Sequence, residues 1–127
     1  MLIPPAPTSE QIRLPVDCWD ILRALGNRMG GAQYSAVVAL SFRLLKTCKE
    51  QKQFELLSPP YTPKRETVPG WVPIEAETWR LVREFGRDWN STAPATIANC
   101  LRIVDSFAAM PKTPKSLQSS FRILGIL

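Results

Sequence analysis

The 127-residue sequence predicts a mainly α fold in which two short strands each lead into a pair of helices. Three observations carry that reading. The chain writes one stretch twice: Gln11–Gly26 and Trp71–Gly86 align without a gap at a shift of sixty positions, with identical residues at Trp19/Trp79, Arg23/Arg83 and Gly26/Gly86. The apolar frame is copied at Ile12/Val72, Leu14/Ile74, Ile21/Leu81, Leu22/Val82 and Leu25/Phe85 while outward positions drift, as expected of a repeated supersecondary unit. Within each copy the apolar spacing changes from two to three or four, the change of period that separates strand from helix.

The elements follow in chain order. Residues 1–9 form a Pro-rich arm, and residues 10–52 form the first unit. Its strand puts Ile12 and Leu14 inward and Gln11 and Arg13 outward. Asp17, like Glu77 in the second copy, stands at a helix start, where a carboxylate meets free backbone N–H groups and the positive end of the dipole. Trp19, Leu22, Leu25 and Met29, and in the second copy Trp79, Val82, Phe85 and Trp89, are spaced by three, three and four. That places one apolar stripe along a helix of about three turns. Gly30-Gly31 and Asn90-Ser91-Thr92 end these helices, because Gly and Asn accept the left-handed conformation of a helix stop.

A second helix runs from about Gln33 to about Gln51. Its face Ser35, Val38, Ser41, Phe42 and Leu45 aligns with Pro94, Ile97, Cys100, Leu101 and Val104 once the second copy is allowed a turn one residue shorter. Thr92 is expected to cap that later helix, with Pro94 in the first turn where its missing N–H costs nothing. Residues 53–70 form a Pro-rich linker, residues 71–107 the second unit and residues 108–127 a basic, then apolar, tail. A linker of this length reaches tens of ångströms at roughly 3.3 Å per residue, so the strands can pair within a chain or exchange between chains. One unit of about forty residues buries too little apolar surface to fold alone, and its strand has an open edge. Folding one copy onto the other answers both needs.

Composition limits the function. At 45% apolar the chain can build a core. No window approaches the roughly twenty apolar residues of a membrane span, and Met1–Pro7 lacks the basic and apolar regions of a secretory signal; a cytoplasmic protein is expected. Cys18, Cys48 and Cys100 are widely spaced in a chain without histidine, so a zinc site lacks ligands and the thiols are read as reduced and structural. No cofactor is implied. There is no Gly-rich phosphate loop, and Glu75 with Glu77 reads as a helix start rather than an acid/base pair, so the chain is not read as an enzyme. The net charge is +5, of which Lys112, Lys115 and Arg122 in the tail supply three. The excess permits nucleic-acid binding.

The order strand, helix, helix, with Leu14-Pro15-Val16-Asp17 at the strand exit and Tyr34-Ser35-Ala36-Val37-Val38-Ala39-Leu40 in the second helix, resembles the ribbon-helix-helix family of DNA-binding proteins. The resemblance covers about Gln11–Leu45 and, more weakly, Trp71–Phe107. It implies a two-stranded antiparallel ribbon that enters the DNA major groove, and two tandem copies imply an intrachain pseudo-dimer. The implied function is a sequence-specific double-stranded DNA-binding transcriptional regulator, a repressor occluding a promoter.

On that reading the outward set Ser9, Gln11 and Arg13 faces the bases. Gln pairs two-point with adenine and Arg with the guanine O6/N7 edge. The matching positions of the second copy are Pro69, Trp71 and Pro73, of which only Trp71 could stack on a base or press a thymine methyl. Phosphates are expected where the second helices begin, at Gln33, Tyr34 and Ser35 and at Thr92 and Ala93. Arg23 and Arg83 are read as covering tryptophan with their stems. The competing class is a protein-interaction module, antitoxin-like or an adaptor, that binds a protein partner through the tail or the Trp71 face. Both readings leave room for a homodimer of such chains.

Overall fold

A computed structural model describes residues 8–57, 66–107 and 118–123. The N-terminal arm before Thr8, the centre of the linker and most of the tail lie outside these residues.

Alternation does produce strands, and they are longer than the four-residue runs that show it. β1 spans Thr8–Pro15 and β2 spans Thr67–Ile74. They pair antiparallel as the only sheet among the described residues, in a register that sets Gln11 opposite Trp71, Arg13 opposite Pro69 and Ser9 opposite Pro73. Proline is tolerated because Pro69, Trp71 and Pro73 share one parity. An antiparallel ladder draws its hydrogen bonds from alternate residues, so one parity can hold both prolines without losing a donor. Ile12, Leu14, Val72 and Ile74 are buried beneath the ribbon.

α1 spans Val16–Arg28 and α2 Tyr34–Glu50; α3 spans Ala76–Trp89 and α4 Ala93–Phe107. The stops are those the sequence indicates: Gly30 and Gly31 take positive φ, and Asn90 closes α3 in the left-handed region. The repeated glycine has a packing reason. The turn after each first helix folds back onto it, with Gly31 N–H and Ala32 N–H donating to Gly26 O and Ser91 N–H donating to Gly86 O. A Cβ at Gly26 would stand 2.8 Å from Ala32 O.

Three local expectations change. The buried stripe of α1 is Cys18, Leu22, Leu25 and Gly26, and that of α3 is Thr78, Val82 and Phe85; Trp19, Met29, Trp79 and Trp89 pack at its margin. Asp17 lies in the first turn of α1 as expected, but the N-cap is Pro15, which offers no side-chain hydrogen bond, and the Asp17 carboxylate meets Arg102 of α4. Thr92 contributes its carbonyl rather than its hydroxyl, accepting from Thr96 N–H at 2.8 Å and Thr96 Oγ1 at 2.7 Å.

The second helices sit centrally. α2 and α4 pack on each other; α1 and α3 each pack on both of them; β1 lies against α4, and β2 against α2. Each of α2 and α4 therefore buries more than the one face its periodicity indicates: Val37 and Leu44 as well as Val38, Phe42 and Leu45, and Ile103 and Phe107 as well as Ile97, Leu101 and Val104. A helix covered on several sides is apolar on several sides. A 3-10 turn at Phe54–Leu57 adds the buried Leu57, and a short helix α5, Gln118–Ile123, lies in the tail.

Candidate nucleic-acid interface

The outward face of the ribbon carries Gln11 and Arg13 from β1 and Pro69, Trp71 and Pro73 from β2. Gln11 and Arg13 are exposed. Trp71 is 67% exposed, so its indole is spent on no part of the core. Arg13 is oriented: Nε donates to Thr67 Oγ1 at 3.2 Å and Nη2 to Thr67 O at 3.1 Å. These bonds occupy the side-on edge of the guanidinium and leave its end-on fork, Nη1 with the second hydrogen of Nη2, without a hydrogen-bond partner among the described residues. Ser9 shares this ribbon opposite Pro73.

Behind the ribbon Trp19 acts as a brace. Its Nε1–H donates to Val68 O at 2.8 Å, its ring meets Tyr34 at a centroid distance of 6.1 Å, and a Cβ at Gly70 would stand 2.5 Å from Cζ2. Gly70 is the one residue type that admits the indole here. Tyr34 is thereby half-buried at the start of α2; Gln33 is exposed just before it, and Ser35 is half-buried. At the start of α4, Thr92 is exposed and Ala93 half-buried. The expected phosphate contacts thus lie at two helix starts, one in each repeat.

Sequence reasoning missed a basic surface on α3. Arg80, Arg83 and Arg87 lie on α3 at intervals of three and four, all exposed and none with an ion-pair partner among the described residues. With Asn90, Ser91 and Thr92 they line a bay of about 920 Å³ beside the start of α4. The acids of α3 meet cations of α2, although Glu84 also lines the bay and Arg80 also lines the groove of Glu77 and Glu84 beside α2. Glu84 accepts from Lys46 at 2.9 and 3.0 Å, Asp88 from Lys49 at 2.6 Å, and Glu77 lies 3.8 Å from Arg43. The Lys46 bond, with the nearby Lys49, holds the Glu84 carboxyl below its ordinary range, and the bond to Asp88 holds the Lys49 ammonium above its own. The acids of this helix are thus neutralised by α2, and its arginines are left to solvent. The signal was present as the spacing of Arg80, Arg83 and Arg87, but the repeat drew notice to Arg83 alone.

The matching positions of α1 are Asp20, Arg23 and Asn27, and Arg23 sits 3.5 Å from Asp20. Two of the ion pairs that link the repeats involve arginine. Arg102 of α4 holds Asp17 of α1 in a two-point contact, Nε to Oδ2 at 3.0 Å and Nη2 to Oδ1 at 3.1 Å, while Arg43 of α2 reaches Glu77 of α3. The cysteines offer no nucleophile: all three are buried and free, and burial pushes Cys18 and Cys48 up to about 11 and Cys100 well above its ordinary value. Among the described residues no group of His, Cys, Asp or Glu could hold a metal ion, and no helix is long and apolar enough to cross a membrane.

Protein-family models, curated proteins and solved structures were compared with the chain, and none matches.

Proposed function

We propose that the chain is a sequence-specific duplex DNA binder, a transcriptional regulator of the repressor kind, built as a tandem ribbon-helix-helix pseudo-dimer whose ribbon enters the major groove. The observation that carries this reading is the ribbon register. Gln11 stands opposite Trp71, which is its own counterpart in the sixty-residue repeat, so an axis exchanging the two halves runs between them. Two exchanged ion pairs support the same axis. Asp17 and Glu77 are repeat counterparts, Arg43 and Arg102 are counterparts across the shorter second turn, and each acid is held by the other repeat's arginine. An interlocked pair of strand-helix-helix units has this arrangement.

A two-stranded ribbon fits the major groove. Its base-reading side chains are Gln11 and Arg13 from one repeat, with Arg13 held so that its outer fork is free for a guanine. The other strand brings Trp71 and two prolines, so the preferred site is asymmetric, unlike the operator of a symmetric dimer. Selection from a random duplex pool at fixed salt should return a motif carrying a guanine that Arg13 reads. Arg13→Ala should then weaken that site by about 1–3 kcal/mol, roughly 5- to 150-fold; unchanged affinity in a gel-shift titration refutes the assignment.

A second reading, a protein-interaction module, is favoured by one observation: Trp71 exposes most of its indole between two prolines. An exposed apolar patch of this kind suits a protein surface. Trp71→Ala should leave DNA affinity nearly intact and abolish partner capture if that reading holds.

A further inference from the structure

We propose that the bay of Arg80, Arg83 and Arg87 is a phosphodiester-binding site that anchors duplex DNA on the second repeat only. The inference rests on the DNA-binding reading for its ligand, and on the charge layout of α3 for its location.

Three guanidinium groups on one side of a helix repel one another, and like charges at i, i+4 are destabilising in an isolated helix. Each of the three acids of α3, Glu77, Glu84 and Asp88, already meets a cation of α2, so none is left as a dedicated partner for the arginines. The arginines are left as a planar, multi-donor surface of the type that binds phosphate two-point. The bay between them and the α3–α4 turn is open and about 920 Å³ in volume, room for a backbone phosphate and its neighbours. Thr92 adds a hydroxyl that has no hydrogen-bond partner among the described residues. Glu84 touches the rim, but its charge is met by Lys46 and Lys49.

The first repeat has no equivalent. Arg23, the repeat counterpart of Arg83, is countered by Asp20 at 3.5 Å, and Asn27 stands where the second repeat has Arg87. The halves thus divide the work. Repeat one supplies the polar base readers on β1, and repeat two adds an arginine clamp to the helix-start phosphate contacts expected in both.

The matched arginines make the test. Binding of the full chain to a labelled random-sequence duplex is followed by fluorescence anisotropy over a series of KCl concentrations, for wild type, Arg83→Ala, Arg23→Ala and the triple variant Arg80→Ala/Arg83→Ala/Arg87→Ala. Each phosphate contact contributes about 0.9 to the slope of log affinity against log salt. Arg83→Ala should lower the slope by about 0.9 and the triple variant by about 2.7, while Arg23→Ala leaves it unchanged. Alanine at exposed helical positions keeps α3 formed, and circular dichroism of each variant verifies that. Duplex binding with equal slopes for wild type and triple variant overturns the bay and leaves the DNA-binding reading standing. Equal losses from Arg23→Ala and Arg83→Ala overturn the one-sided clamp. Absence of any duplex binding by the wild type at the lowest salt overturns the DNA-binding reading itself, and the bay's ligand with it.

Discussion

Asp17–Arg102 and Glu77–Arg43 occupy related places yet should differ sharply in strength. In the first pair the Arg102 side chain is 12% exposed and Asp17 36%, and two charge-assisted bonds of 3.0 and 3.1 Å join them. In the second the side chains are 56% and 69% exposed and meet once, at 3.8 Å. An exposed single contact is worth about 0–1 kcal/mol, and removal of one partner of a fully buried pair costs about 3–5 kcal/mol. Asp17 and Arg102 lie between these limits. We expect Arg102→Ala to destabilise the fold by about 2 kcal/mol and Arg43→Ala by less than about 0.5 kcal/mol. Urea unfolding of the single and double variants, followed by far-ultraviolet circular dichroism, gives both double-mutant cycles. The coupling should be about 1–2 kcal/mol for Asp17 with Arg102 and under about 0.5 kcal/mol for Glu77 with Arg43. Equal couplings in the two cycles would refute the argument from burial and two-point geometry.

Gly70→Ala should destabilise by about 1–2 kcal/mol, because the new methyl displaces the Trp19 ring and breaks its bond to Val68 O. A gain in the urea midpoint, the usual effect of replacing glycine in a strand, would show that the ring moves freely. The Glu84 carboxyl, lowered by Lys46, contributes stability that is present above its unfolded value of 4.5 and is lost as pH falls through its lower folded value. Glu84→Gln should therefore flatten part of the stability loss below about pH 5 in acid titrations of the urea midpoint, and an unchanged profile would contradict the assigned Lys46 and Lys49 contacts.

The order of elements, their stops and most of the core were legible in the residues. Periodicity reports which side of a local element meets apolar neighbours, and Gly30-Gly31 and Asn90 carry their backbone preference with them. The ribbon strands were under-read because Pro69 and Pro73 argue against a strand, until a two-stranded ladder makes them harmless. Periodicity places the tryptophans in the core, because indole is apolar and falls on the stripe. Trp19 instead occupies a margin that only the neighbouring strand, with glycine at position 70, creates.

Local preferences depend on residues within a few positions of one another, and so the sequence by itself determined two strand-helix-helix units and the glycines and asparagine that end their helices. Which side chains meet across fifty or more positions depends on how those units dock. The tertiary structure alone decided that Gln11 faces Trp71, that Asp17 reaches Arg102 of the other repeat, and that the acids of α3 are neutralised while its arginines are not. Charge pairing is a property of distance in space, and in this chain the partners that decide it belong to different repeats.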